Sequence, residues 1–177
     1  MSRKGFTLIE LLVVIAIMGI LSTLAMVNFS TYLDNKKLDT EAYKLHSFIS
    51  NYKVKAYKTE AVYYFRIANG GTAVDFNTLE VCEKDETGAL KVIGKYSTQE
   101  KLDGGMETLE VGISIDGTIN TSDNVIASVN PLSLGYQIES DSLVMNITHS
   151  SLEGIVYAIT FYNEQARVKF QKNDKEL

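Results

Sequence analysis

One cysteine, one proline, two histidines and no tryptophan are spread over 177 residues. The single cysteine, Cys82, excludes an intrachain disulfide, so the fold must be held by its apolar core. Cys82 itself reads as a small, half-buried strand residue rather than a reactive thiol. His46 and His149 have neither a second histidine nor a cysteine at metal-ligand spacing, so no metal site and no cofactor is expected. Asp116 and Asp123 lack the dense alternating carboxylates of a calcium loop. Gly70-Gly71 and Gly104-Gly105 are followed by no Lys-Ser/Thr pair and open no helix, which argues against phosphate loops. No residue set converges on catalysis, and the chain is not expected to be an enzyme. Positive charge is short as well: a formal net charge of −5 makes a poor generic attractor for nucleic acid.

What the chain does have is a long apolar run near its start. Residues 11–27 carry no charge, and Gly19, Ser22 and Thr23 are their small or polar members. Small residues permit close helix approach. Before the run stand Met1, Ser2, Arg3 and Lys4, then Gly5-Phe6-Thr7-Leu8-Ile9-Glu10. A secretory signal also puts basic residues ahead of an apolar segment, but it is cut after that segment, and residues 20–25 offer a poor site. At ~1.5 Å per residue, residues 6–27 are just long enough to span a bilayer as a helix. Arg3 and Lys4 favour the cytoplasmic side, which leaves the rest of the chain extracytoplasmic.

Glu10 is the one acid in this stretch, and a carboxylate at the centre of a membrane helix costs roughly 2.5–3.5 kcal/mol. In a stacked array of such helices, the nearest cation is a neighbour's amino terminus, and pairing with it would make Glu10 a register lock. Alternatively Glu10 snorkels at the membrane interface.

The helical pattern continues past the apolar run. Leu38, Ala42, Leu45, Ile49, Tyr52 and Ala56 recur at a period near 3.6, which predicts one helix over residues 6–58 whose second half packs on a domain. A coiled-coil seam of about three heptads is the other reading. Beyond residue 58 the pattern turns to alternation and turns. Strands are expected over 61–68, 72–77, 79–82, 90–93, 109–115, 118–120, 125–129, 134–138, 143–148, 155–162 and 166–170, with hairpin chemistry at Asn69-Gly70-Gly71, a charged turn over 83–88 and a fraying tail from Gln171. The tyrosines fall on the helix stripe or on strands, where an apolar ring with a wet hydroxyl is ordinary packing. One long helix followed by many short strands gives an α+β fold, the helix stripe lying on an antiparallel sheet.

The stretch from the basic leader to the apolar run resembles the class III signal of type IV prepilins and type II secretion pseudopilins. The resemblance implies a leader over residues 1–5, cut by a prepilin peptidase between Gly5 and Phe6, and methylation of the new amino terminus at Phe6. It implies a transmembrane and later filament-core helix over 6–30, Glu10 as the assembly contact, and an extracytoplasmic α+β globular domain over 31–177. Loss of Arg3 and Lys4 with the leader would take the net charge from −5 to −7. Many relatives carry proline where this chain has Val27, so a straighter helix is expected here.

The domain also resembles the GspH/FimT group of minor pilins. Within it, Gln165-Ala166-Arg167-Val168-Lys169 is similar to that group's C-terminal Gly-Arg-x-Arg segment, which makes Arg167 and Lys169 candidate DNA contacts, with Lys172 and Lys175 nearby. Ala166 and Lys169 depart from that pattern, and a solvated face of an edge strand is the alternative. The expected function is a minor pilin or pseudopilin of an inner-membrane-assembled filament. Its expected partners are the peptidase, membrane lipid, other pilin subunits and an assembly platform driven by a separate cytoplasmic ATPase. A major pilin, or a DNA-binding minor pilin in competence, is the alternative.

Overall fold

The computed structural model describes residues 7–68, 78–98, 111–116, 123–132, 135–163 and 168–174, with the side chains of 24–28 and 174 outside that description. A single helix, α1 (Leu8–Thr59), leads into nine strands. Thr7 caps it in an extended conformation (φ −80°, ψ 151°), and Glu60 ends it in the left-handed region (φ 54°, ψ 27°). The helix runs unbroken through residue 27, where no proline removes a backbone donor.

The stripe on the second half of α1 is the centre of the core. Leu38, Ala42, Leu45, Ile49 and Ala56 are fully buried, while Tyr43 and Val54 on other faces are exposed. The stripe lies on two antiparallel sheets. The first has the order β3-β2-β1-β5-β6, from β1 (Tyr63–Ile67), β2 (Thr78–Lys84), β3 (Leu90–Ser97), β5 (Val125–Val129) and β6 (Tyr136–Gln137). The second has the order β4-β7-β8-β9, from β4 (Val111–Asp116), β7 (Ser142–His149), β8 (Ile155–Tyr162) and β9 (Lys169–Asp174). A lone parallel bridge between Tyr136 and Asn163 joins them. Alternation decides the faces: Tyr63, Phe65 and Ile67 of β1, and Leu143, Met145 and Ile147 of β7, all point inward and are buried.

Two edge strands flank the helix. On one side β3 approaches so closely that a side chain at Gly94 would collide with the Tyr52 ring, whose hydroxyl donates to the Ile93 carbonyl at 3.4 Å. Tyr96, on the same strand, donates to Glu41 Oε2 at 2.7 Å. Burial and then the Glu41 carboxylate push the Tyr96 hydroxyl well above its ordinary value, so it remains a donor. On the other side β9 sets Phe170 against Tyr43 and His46, with ring centroids 5.1 and 4.9 Å away.

Two expectations are corrected. Residues 171–174 do not fray; they complete β9, which pairs with β8 from Thr160↔Lys169 to Ile155↔Asp174. The β8 edge and the aromatic contacts of Phe170 supply the order that the polar sequence does not. Cys82 is fully buried rather than half-buried: it pairs with Tyr64 on the face opposite Val81, beside Arg66 and Glu80, and burial pushes its thiol up. The expected hairpin over 69–77 and the strand over 118–120 lie outside the described residues.

Candidate functional site

The amino-terminal half of α1 has no fold to pack on. Over residues 8–23 its large apolar residues are exposed on every face, among them Leu8 at 82 %, Ile9 at 69 %, Val14 at 42 % and Ile20 at 64 %. A continuous apolar surface of this kind on a folded chain marks a contact with another macromolecule or with lipid. The polar residues inside the run do not interrupt it. Ser22 donates its hydroxyl to the Met18 carbonyl and Thr23 to the Ile20 carbonyl, both at 2.7 Å, so neither requires water. At Gly19 an added side chain would meet nothing.

The expected span over 6–30 is not reproduced among the described residues: no helix there is long and apolar enough to cross a membrane. The described side chains stop at Thr23 and resume at Phe29, and 8–23 falls short of the ~20 residues a span requires.

Glu10 sits in the first turn of the helix, where negative charge is favoured by the exposed backbone amides. Its Oε2 accepts from the Thr7 amide at 2.8 Å and from the Thr7 hydroxyl at 2.9 Å, while the Glu10 amide donates back to Thr7 Oγ1 at 3.3 Å. This is a capping box, and the Thr-x-x-Glu spacing of Thr7-Leu8-Ile9-Glu10 was its signal in the sequence. Gly5 and Phe6 lie outside the described residues.

Residues 1–26 coincide with this arrangement. The chain carries the prokaryotic N-terminal methylation motif over those residues. That motif is the class III prepilin signal and is consistent with the type IV pilin and pseudopilin family. The signal implies processing by a prepilin peptidase and assembly with other pilins. No curated protein and no solved structure matches the chain. The rest of the chain contributes an α+β architecture of pilin-like plan, a long amino-terminal helix ahead of antiparallel sheet.

The second candidate site is not assembled in the same way. Arg167 lies outside the described residues, and Lys169 is exposed at the start of β9. Lys172 turns to the helix instead, where it donates to Asp39 Oδ1 at 3.4 Å and lies over the Tyr157 ring. Tyr157 donates to the same Asp39 oxygen at 2.6 Å. Burial pushes the Asp39 carboxyl up, but the Tyr157 hydroxyl and the Lys172 ammonium outweigh it and hold the carboxyl below its ordinary value. Lys172 thus serves to fasten β9 to the helix. Where α1 leaves the domain, Ser151 donates to Asp34 Oδ2 at 2.6 Å and lies 3.0 Å from His149 Nδ1. His46 stacks on Phe170, and among the described residues no three histidine, cysteine or acidic side chains come together to hold a metal.

Proposed function

We propose that this chain is a structural subunit, a minor pilin or pseudopilin, of a type IV pilus or type II secretion-like filament. The single observation that carries the reading is a bare apolar helix bearing one acid, continuous with a helix half that a folded domain holds. Cleavage between Gly5 and Phe6 removes the leader of residues 1–5, and Phe6 becomes the methylated first residue. Residues 6–30 anchor the subunit in the cytoplasmic membrane and then form the filament core, and residues 31–177 form its extracytoplasmic surface domain. Glu10 pairs with the amino terminus of a neighbouring copy, since a carboxylate among packed apolar helices needs a cation nearby.

Two measurements test this. Mass spectrometry of the mature chain should find methylated Phe6 at its amino terminus, and any other terminus would overturn the processing reading. Glu10→Ala should leave the chain in the membrane but out of sheared filaments; parental filament levels would mean that Glu10 only snorkels.

A further inference from the structure

The four strands of the second sheet pair without a break in register, so alternation assigns each residue to one of two faces. Leu143, Met145 and Ile147 lie on the core side, against the helix. Read across β4, β7, β8 and β9, the other face has Asp116, Val144, Thr160 and Lys169 in one row. The next row is Ser114, Asn146, Ala158 and Gln171, and the third is Gly112, Thr148, Val156 and Asn173. Asp116, Lys169, Gln171 and Asn173 are exposed, and Ala158, 5 % exposed, is a floor between Asn146 and Gln171. The two ends of every row are complementary: acid and base, serine and glutamine, glycine and asparagine. The middle positions either match in shape, valine with threonine, or set a large residue beside a small one. With strands ~4.8 Å apart, Asp116 and Lys169 stand about 14 Å from each other within one chain, too far to pair.

We propose that this face is a docking surface for a second copy of this chain, the two sheets packing about a two-fold axis parallel to the strands between β7 and β8. That axis lays β4 on the partner's β9 and β7 on the partner's β8, an isologous contact in which every pairing occurs twice. Asp116 then meets the partner's Lys169, Ser114 the partner's Gln171, Gly112 the partner's Asn173 and Asn146 the partner's Ala158. The length of Lys169 accommodates the ~30° at which aligned sheets cross. A two-fold axis running across the strands would instead set Asp116 over the partner's Gly112 and leave the charges unmatched. Because the face lies opposite the helix, the contact uses neither Glu10 nor the bare half of α1, and it stands independently of the filament reading. Four strands by five residues cover about 300 Å² in projection. A stable complex takes ~800 Å² from each partner, so this contact is weak and forms where copies are held close together, as in one membrane.

Disulfide trapping tests it in membranes that hold two differently tagged full-length copies, one Ser114→Cys and the other Gln171→Cys. Cys82 is fully buried and gives the parent chain no thiol to link. Mild oxidation should join the two tags. Either variant alone should give at least about fivefold less, because the axis keeps equivalent positions of the two copies about 14 Å apart across the strands. Asp116→Lys in both copies, or Lys169→Asp in both, should lower the yield about fivefold. Asp116→Lys in one copy with Lys169→Asp in the other makes both pairs attractive again and should restore it. Absence of the link, equal yields from the single variants, indifference to charge, or a loss that the mixed charges do not restore would each overturn the proposal. So would capture of Ser114→Cys by a different protein with no joined tags, which gives the face to another partner.

Discussion

The two halves of α1 share one backbone geometry and differ in what surrounds them. Over residues 8–23 the helix is apolar on every side and exposed; above Asp34, Leu38, Ala42, Leu45, Ile49 and Ala56 form one stripe and are fully buried. Helix propensity and capping therefore cannot be what separates the halves. What differs is the arrangement of apolar area, which in the upper half is satisfied by this chain and in the lower half is left for another. Breaking the comparison at its strongest point means cutting the upper stripe. Ile49→Ala, at a fully buried position, should destabilise the domain by about 2–5 kcal/mol, read from denaturant unfolding of the full chain in detergent. Ile15→Ala, at a position 60 % exposed, should shift the same curve by less than about 0.5 kcal/mol.

The next effect lies at the edge of the upper half. Gly94 leaves the space that the Tyr52 ring occupies. Gly94→Ala should cost about 1–3 kcal/mol through overpacking. Tyr52→Ala in the same chain should recover part of that loss, because the two positions compete for one volume. Simple additivity of the two substitutions would show that the strand and not the ring is what Gly94 serves.

This same contrast explains how much could be read before any coordinates. The helix was expected over 6–58 and occupies Leu8–Thr59, because period and composition are local properties of the chain. The strands over 125–129 and 155–162 fall where alternation put them. Partner choice did not follow. β1 pairs with both β2 and β5, and a period of two says which face a residue takes without saying which strand lies beside it. The last strand was misjudged for the same reason: in Lys169–Asp174 Phe170 is the one apolar residue, and its order comes from Tyr43, His46 and Tyr157, distant in sequence. At the amino terminus the Thr-x-x-Glu pattern was legible. Reading Glu10 through its charge alone obscured the bond it makes to Thr7.

A smaller effect tests how the upper half is fastened to β9. Tyr157→Phe removes a donor from Asp39 without changing the ring, and should cost about 1 kcal/mol at neutral pH after discounting for partial exposure. The sign of its pH dependence follows from the lowered Asp39 carboxyl. A carboxyl held below its unfolded value contributes stability above that value and loses it as pH falls through the folded one. The parent and Tyr157→Phe curves should therefore stay apart above the ordinary aspartate value of about 3.9 and converge below it. A gap that persists into acid would assign the contact to packing of the ring.

The smallest effect compares the two ends of α1. At the bare end Thr7 adopts an extended conformation natural to a cap, and three hydrogen bonds settle it. At the docked end Glu60 takes the left-handed conformation, with φ 54°, that L-residues with a Cβ resist. The docked end accepts this because Ala56 and Tyr63, four residues before it and three after, are both buried and dictate how the chain must turn. Glu60→Gly removes the Cβ penalty but adds freedom to the unfolded chain, so the net gain should be only about 0.5–1 kcal/mol. In a domain of this size that is a rise in Tm of about 1–4 °C. A fall in Tm would mean that the Glu60 side chain contributes more than its strain costs, and that the turn is held by more than the buried residues on either side of it.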